Sequence, residues 1–105
     1  MGRLVYDGRA RFAIDDRTLA HLQIVMGDKL RRGEPFTFTW ANPLEEGGGR
    51  ISVWVSASSA LVFTFDRNQP QQISRAWLDM LAQAAHSPSG LAPIDEPEED
   101  AGVIA

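Results

Sequence analysis

The sequence predicts one α+β domain in two layers: a five-stranded, mainly antiparallel sheet with two helices on one face, in the order β-β-α-β-β-β-α. Three observations lead there. Several short apolar runs alternate with period two, and two longer stretches repeat their apolar residues at helical spacing. The chain has only 105 residues, 44% of them hydrophobic, which allows one modest core and not two. Short strands in series with only two helices leave no room for repeated parallel crossovers, so antiparallel pairing is expected.

Arg3 to Tyr6 and Ala10 to Ile14 are joined at Asp7-Gly8, a dipeptide that accepts positive φ and closes tight hairpins. From Asp16 to Arg32, the residues Leu19, Leu22, Met26 and Leu30 form one helical stripe. Asp15 is placed as its N-cap, Gly33 as its stop, and Ile14 and Leu19 as a hydrophobic staple across the cap. Gly27 costs this helix about 1 kcal/mol relative to Ala, which implies a neighbour packed closely there. Three half-buried strands follow, marked by Phe36, Phe38 and Trp40, by Ile51, Val53 and Val55, and by Leu61, Phe63 and Phe65. Ser74 reads as a second N-cap, with Ile73, Trp77, Leu81 and Ala84 as the stripe of a helix that stops near Pro88.

Residues 1–90 are expected to form the folded body and 91–105 an acidic, loose tail. Net charge is −4, but five of the fourteen acids lie beyond Pro93, so the body carries nine acids against ten Lys and Arg. It is close to neutral. There is no cysteine, which excludes disulfides and thiolate metal sites. No apolar run is long enough for a signal peptide or a membrane span, so the expected compartment is the cytoplasm.

With Phe36, Phe38, Ile51, Val53, Val55, Phe63 and Phe65 facing the helices, period-two alternation sends Thr37, Thr39, Ser52, Trp54, Ser56, Val62 and Thr64 to the opposite face. Trp54 is the one large aromatic there. Beside Val62, it would anchor a second subunit or another partner. A second candidate is the cation cluster Lys29, Arg31 and Arg32, which could meet phosphate, with Arg9, Arg11 and Arg50 as extensions if the fold brings them together. The helix macrodipole also favours cations in a last turn, and Asp28 is spaced to pair with Arg32, so structure accounts for most of that cluster. Glu45-Glu46-Gly47-Gly48-Gly49-Arg50 leads into a strand and not into a helix N-terminus, which makes it a hairpin connection and not a phosphate cradle. His21 and His86 have no second ligand at metal spacing. No cofactor is expected.

Tyr6-Asp7-Gly8 overlaps the nucleotidyl-transfer motif of ATP-dependent DNA ligases, which reads Lys-x-Asp-Gly-x-Arg. Val5 holds the lysine position and Ala10 the arginine position, so no lysyl adenylate can form. A fuller likeness runs from Gly2 to about Leu91. The segments Leu-x-Tyr-Asp-Gly, Asp-x-x-Leu-Ala-His-Leu-Gln, Lys-Leu-Arg-Arg-Gly-Glu, Phe-x-Phe-x-Trp, Gly-Gly-Gly-Arg and Arg-Ala-Trp-Leu resemble a family of small actinobacterial proteins of about 100 residues. That family has no established activity, and its members often carry the label ATP-dependent DNA ligase. The resemblance therefore implies no mechanism. The expected function is a non-catalytic binding or assembly module, self-associating through the sheet face, with a nucleic-acid-associated accessory protein as the alternative.

Overall fold

The computed structural model describes residues 1–97. Its elements are β1 (Gly2–Tyr6), β2 (Ala10–Ile14), α1 (Asp16–Arg31), β3 (Phe36–Ala41), a short 3-10 turn (Leu44–Glu46), β4 (Arg50–Val55), β5 (Leu61–Thr64) and α2 (Arg75–His86). This is the expected order. The strands form two antiparallel sheets, β2-β1-β5 and β3-β4, and not the single five-stranded sheet expected from sequence.

Asp7 fixes where β5 pairs. Asp7 and Gly8 take φ values of 50° and 67°, and the Arg9 N–H donates to the Tyr6 carbonyl at 2.9 Å, closing a three-residue connection, Asp7-Gly8-Arg9, that sets Tyr6 opposite Ala10. In that conformation the Asp7 N–H donates to the Ala60 carbonyl at 2.7 Å, and the Asp7 carboxylate accepts the Ala60 N–H at 2.7 Å. This two-way clamp delivers the chain that leaves β4 onto β1. Leu4 then stands opposite Phe63 and Tyr6 opposite Leu61.

Both sheets turn an apolar face towards one core. Leu4, Phe12 and Ile14 meet Phe36, Phe38 and Val55, while α1 contributes Leu19, Leu22, Val25 and Met26 and α2 contributes Trp77, Leu81 and Ala85. Phe12 joins the sheets directly, edge-on to Phe38 with centroids 5.4 Å apart and tilted against Trp40 at 5.7 Å. Both expected caps are made: Asp15 accepts from the Thr18 N–H at 3.0 Å and Ser74 from the Trp77 N–H at 3.2 Å. Ile73 is the exception in its stripe, since it lies exposed at the start of α2.

Gly27 has no close neighbour. A Cβ there would meet only the mobile end of the Arg31 side chain, at 3.2 Å. The helix therefore carries the glycine penalty without a packing return. Gly27→Ala is expected to stabilise the protein by about 0.5–1 kcal/mol, read as a rise in Tm of roughly 4–8 °C per kcal/mol for a domain of this size; an unchanged or lower Tm would count against this reading of α1.

The packed body runs past residue 90, where a loose tail was expected to begin. Leu91 is fully buried and pairs in parallel with Phe38 on the edge of β3 away from β4. Its N–H donates to the Thr37 carbonyl at 2.7 Å, and its carbonyl accepts the Thr39 N–H at 2.8 Å. Gly90, at φ 88°, lets the chain pass close, because a Cβ would sit 2.6 Å from the Thr37 oxygen. Beyond it, Trp77 Nε1–H donates to the Ile94 carbonyl at 2.9 Å, and Arg17 grips Glu96 through two hydrogen bonds of 2.8 and 2.7 Å. Sequence patterning misses this strap because Leu91 and Ile94 are isolated among prolines and acids and show no period. Residues 98–105, with the apolar Val103 and Ile104, lie outside the described residues.

The Arg17 hydrogen bond, followed by the Arg17 charge, holds the Glu96 carboxyl below its ordinary value. A lowered folded-state value means the contact stabilises the strap above the ordinary carboxylate range and is lost as pH falls through the folded value. Acidification is therefore expected to lower the amide protection factors of the non-proline residues between 91 and 96, measured against intrinsic exchange at each pH, before the body unfolds. Glu96→Gln should flatten that dependence, and equal pH profiles for the two proteins would contradict it.

Candidate interaction surface

The β3–β4 hairpin sets Thr37 opposite Trp54, Thr39 opposite Ser52 and Ala41 opposite Arg50. These residues share the outer face, because the intervening Phe36, Phe38 and Val55 are buried in the core. Thr39 and Ser52 are hydrogen-bonded through their hydroxyls at 3.0 Å. Trp54 is 60% exposed, whereas Trp77 is 3% exposed. An indole left in water on an otherwise hydroxyl-bearing face is the most conspicuous unpartnered group on the hairpin.

The expected candidates do not all share this surface. Val62, itself exposed, belongs to the other sheet, opposite Val5 on β1, so Trp54 and Val62 are not neighbours on one sheet face. Each cation of the α1 cluster has an acidic partner, with Glu34 serving two of them. Lys29, only 6% exposed, reaches Glu34 at 3.2 Å, Arg31 pairs with Asp28 at 3.2 Å, and Arg32 lies 3.6 Å from Glu34. The hydrogen bond from Lys29 leads the causes that hold the Glu34 carboxyl below its ordinary value. Asp28 thus meets Arg31 and not the Arg32 expected from i,i+4 spacing. Arg50 stands opposite Ala41, at the end of β3 remote from α1, roughly 17 Å along a strand that rises about 3.3 Å per residue. It does not extend the α1 cluster.

Three features were unread in the sequence or read only in part. The first is the free edge of β4. Thr37 and Thr39 direct their main-chain groups to Leu91, so in the antiparallel ladder the opposing Trp54 and Ser52 direct theirs away from β3. Arg50 shares that parity. Among the described residues the one bond to this edge is from the Tyr6 hydroxyl to the Trp54 carbonyl, at 2.5 Å.

The second is a basic outer face on the other sheet. Arg3 pairs with Ala13 and Val5 with Arg11, which makes Arg3 and Arg11 diagonal neighbours, and Arg9 lies in the adjoining turn. All three are exposed. The alternation of β1 and β2 carried this signal, but the arginines are too few to form a run.

The third is His21, fully buried. Its Nε2 takes the Ser74 N–H at 2.9 Å, so its other nitrogen, 2.8 Å from the Arg17 carbonyl, must be the donor. The ring also stacks on Trp77, with centroids 4.4 Å apart. His21 therefore ties the first turn of α1 to the cap of α2, and both of its nitrogens are occupied by the fold. Among the described residues no group of His, Asp and Glu is placed to hold a metal ion, and no helix is long and apolar enough to cross a membrane.

These features define a small two-sheet α+β domain whose polar clusters are largely matched internally and whose open surface is a sheet face with a free edge. The chain belongs to the DUF7882 family, a domain of unknown function, whose model matches residues 1–96. That span includes the strap to Glu96. Comparison with curated proteins and with solved structures found no match.

Proposed function

We propose that this chain is a non-catalytic binding or assembly module of the cytoplasm that associates with itself through the outer face of the β3–β4 hairpin. The observation that carries this reading is Trp54, 60% exposed on a face otherwise bearing hydroxyls and Arg50. A tryptophan contributes more binding energy than most residues at a protein interface, and a homodimer is the commonest soluble assembly. The non-catalytic part rests on Val5 at the position where the ligase-like motif needs its lysine, and on Asp7 being committed to Ala60.

Size-exclusion chromatography with light scattering tests the reading. The protein should run above its monomer mass of 11.6 kDa at tens of micromolar, and Trp54→Ala should shift it to monomer. A monomeric parent protein across that range would refute self-association.

A nucleic-acid-associated accessory role is the second reading, favoured by Arg3, Arg9 and Arg11, none of which has an acidic partner within salt-bridge distance among the described residues. It predicts binding to single- or double-stranded DNA or RNA that weakens steeply with salt. Arg3→Glu with Arg11→Glu should abolish that binding, and no binding by the parent protein at low salt would remove the reading.

A further inference from the structure

We infer that two copies of this chain pair β4 to β4, antiparallel, about a two-fold axis that passes beside Ser52. The inference rests on the self-association reading and adds to it the strand, the register and the residues that meet. The occupant follows from self-complementarity. A strand edge that offers unpaired main-chain groups is a template for another strand, and in a two-fold dimer each residue must find its partner on an identical strand.

The main-chain groups of Arg50, Ser52 and Trp54 point off the open edge of β4, as the bonds of Thr37 and Thr39 to Leu91 require. Centred on Ser52, the second copy sets Ser52 against Ser52, Trp54 against Arg50, and Ile51 against Val53. Each of these pairs is chemically sensible on its own face of the sheet. On the outer face, each indole receives the guanidinium of the other copy in cation–π contact. On the inner face, Ile51, 38% exposed although it points to the core side, meets the half-buried Val53. One register thus covers both exposed apolar side chains of β4. A centre at Arg50 would set like charges opposite each other, and a centre at Trp54 would carry Arg50 past the end of the partner strand at Val55 and away from the indole; the Trp54 carbonyl already accepts the Tyr6 hydroxyl. In the Ser52 register that carbonyl keeps a second lone pair for the neighbouring strand.

The result would be a four-stranded sheet, β3-β4-β4-β3, flanked on both outer edges by the Leu91 straps. Those straps already block the other edge of β3, so association by this route stops at two copies.

The absence of cysteine from the chain makes the register directly readable. In a hydrogen-bonded antiparallel pair, directly opposed Cα atoms lie about 5.5 Å apart, within the range a disulfide spans. Full-length Ser52→Cys, oxidised gently, should therefore form a covalent dimer at least tenfold faster than Thr64→Cys, an equally exposed strand position on the other sheet. Arg50→Glu in the cysteine-free protein should raise the dimer dissociation constant at least tenfold while leaving the far-UV circular dichroism unchanged. If the parent protein is dimeric by light scattering but Ser52→Cys cross-links no faster than Thr64→Cys, the β4 register is wrong and self-association stands through another surface. If the parent protein is monomeric and neither variant cross-links, both proposals fall together.

Discussion

Replacing Leu91 with Ala is expected to cost about 2–5 kcal/mol, the usual range for emptying a fully buried leucine site. A domain of this size holds about 5–15 kcal/mol in all, so the loss would be a large fraction of its stability. Leu91 has no exposed surface, and it also fixes the main chain that pairs with Thr37 and Thr39. Urea unfolding should show a lower midpoint with an unchanged slope. Ile94→Ala, at a half-buried position packed against the same core, should cost clearly less. Truncation after Gly90 should be worse than either substitution, because it also removes the carbonyl that Trp77 Nε1–H uses and the carboxylate held by Arg17. A truncated protein as stable as the parent would show that the strap is an accessory and not part of the core.

The second large effect is expected at His21. His21→Ala should cost about 3–5 kcal/mol, combining a buried cavity with one stranded main-chain donor, the Ser74 N–H, while the Arg17 carbonyl keeps its helical bond within α1. His21→Phe retains the contact with Trp77 and restores only the apolar part, so a cost of about 1–3 kcal/mol is expected from the unpaired Ser74 N–H. The ordering separates packing from hydrogen bonding, and it is read from chemical denaturation of the three proteins. Equal stability of His21→Phe and the parent would mean that the two hydrogen bonds contribute nothing.

Much of the local structure was legible because it depends on neighbours in sequence. Asp7-Gly8, Asp15 and Ser74 act within a few residues, and each takes the turn or cap its chemistry favours. The α1 stripe and the alternation of β3 were legible for the same reason, since burial on one side imposes a period. What was not legible depends on contacts distant in sequence. Nothing local indicates that Asp7 also clamps Ala60 beside the β1–β5 pairing, or that β3 and β4 form a sheet of their own. His21 read as a lone histidine because its partners are a backbone N–H 53 residues away and a carbonyl one turn back.

The candidate surface was half legible. Alternation placed Thr37, Thr39, Ser52 and Trp54 on one face, and Arg50 falls on the same face by the same parity, although it was grouped with the α1 cations. Val62 was misplaced because the face was drawn across a single sheet. The free edge of β4 could not be read at all, since strand order decides which edges stay open. Among the cations, Lys29 and Arg32 proved to share Glu34 and Arg31 to pair with Asp28, while Arg9 and Arg11 were grouped with the α1 cations instead of with Arg3, because isolated arginines form no motif and only strand pairing brings Arg3 and Arg11 together.

Amide hydrogen exchange of the full chain at two protein concentrations is the most direct test of a module that associates through this hairpin. The Ser52 and Trp54 amides point off an open edge, so in dilute solution they should exchange rapidly. Raising the concentration a hundredfold should slow both selectively, while the Val62 and Thr64 amides on the other sheet keep their rates. Exchange at Ser52 and Trp54 that is independent of concentration would contradict self-association through β4 and leave the outer face of the hairpin as a surface for some other partner.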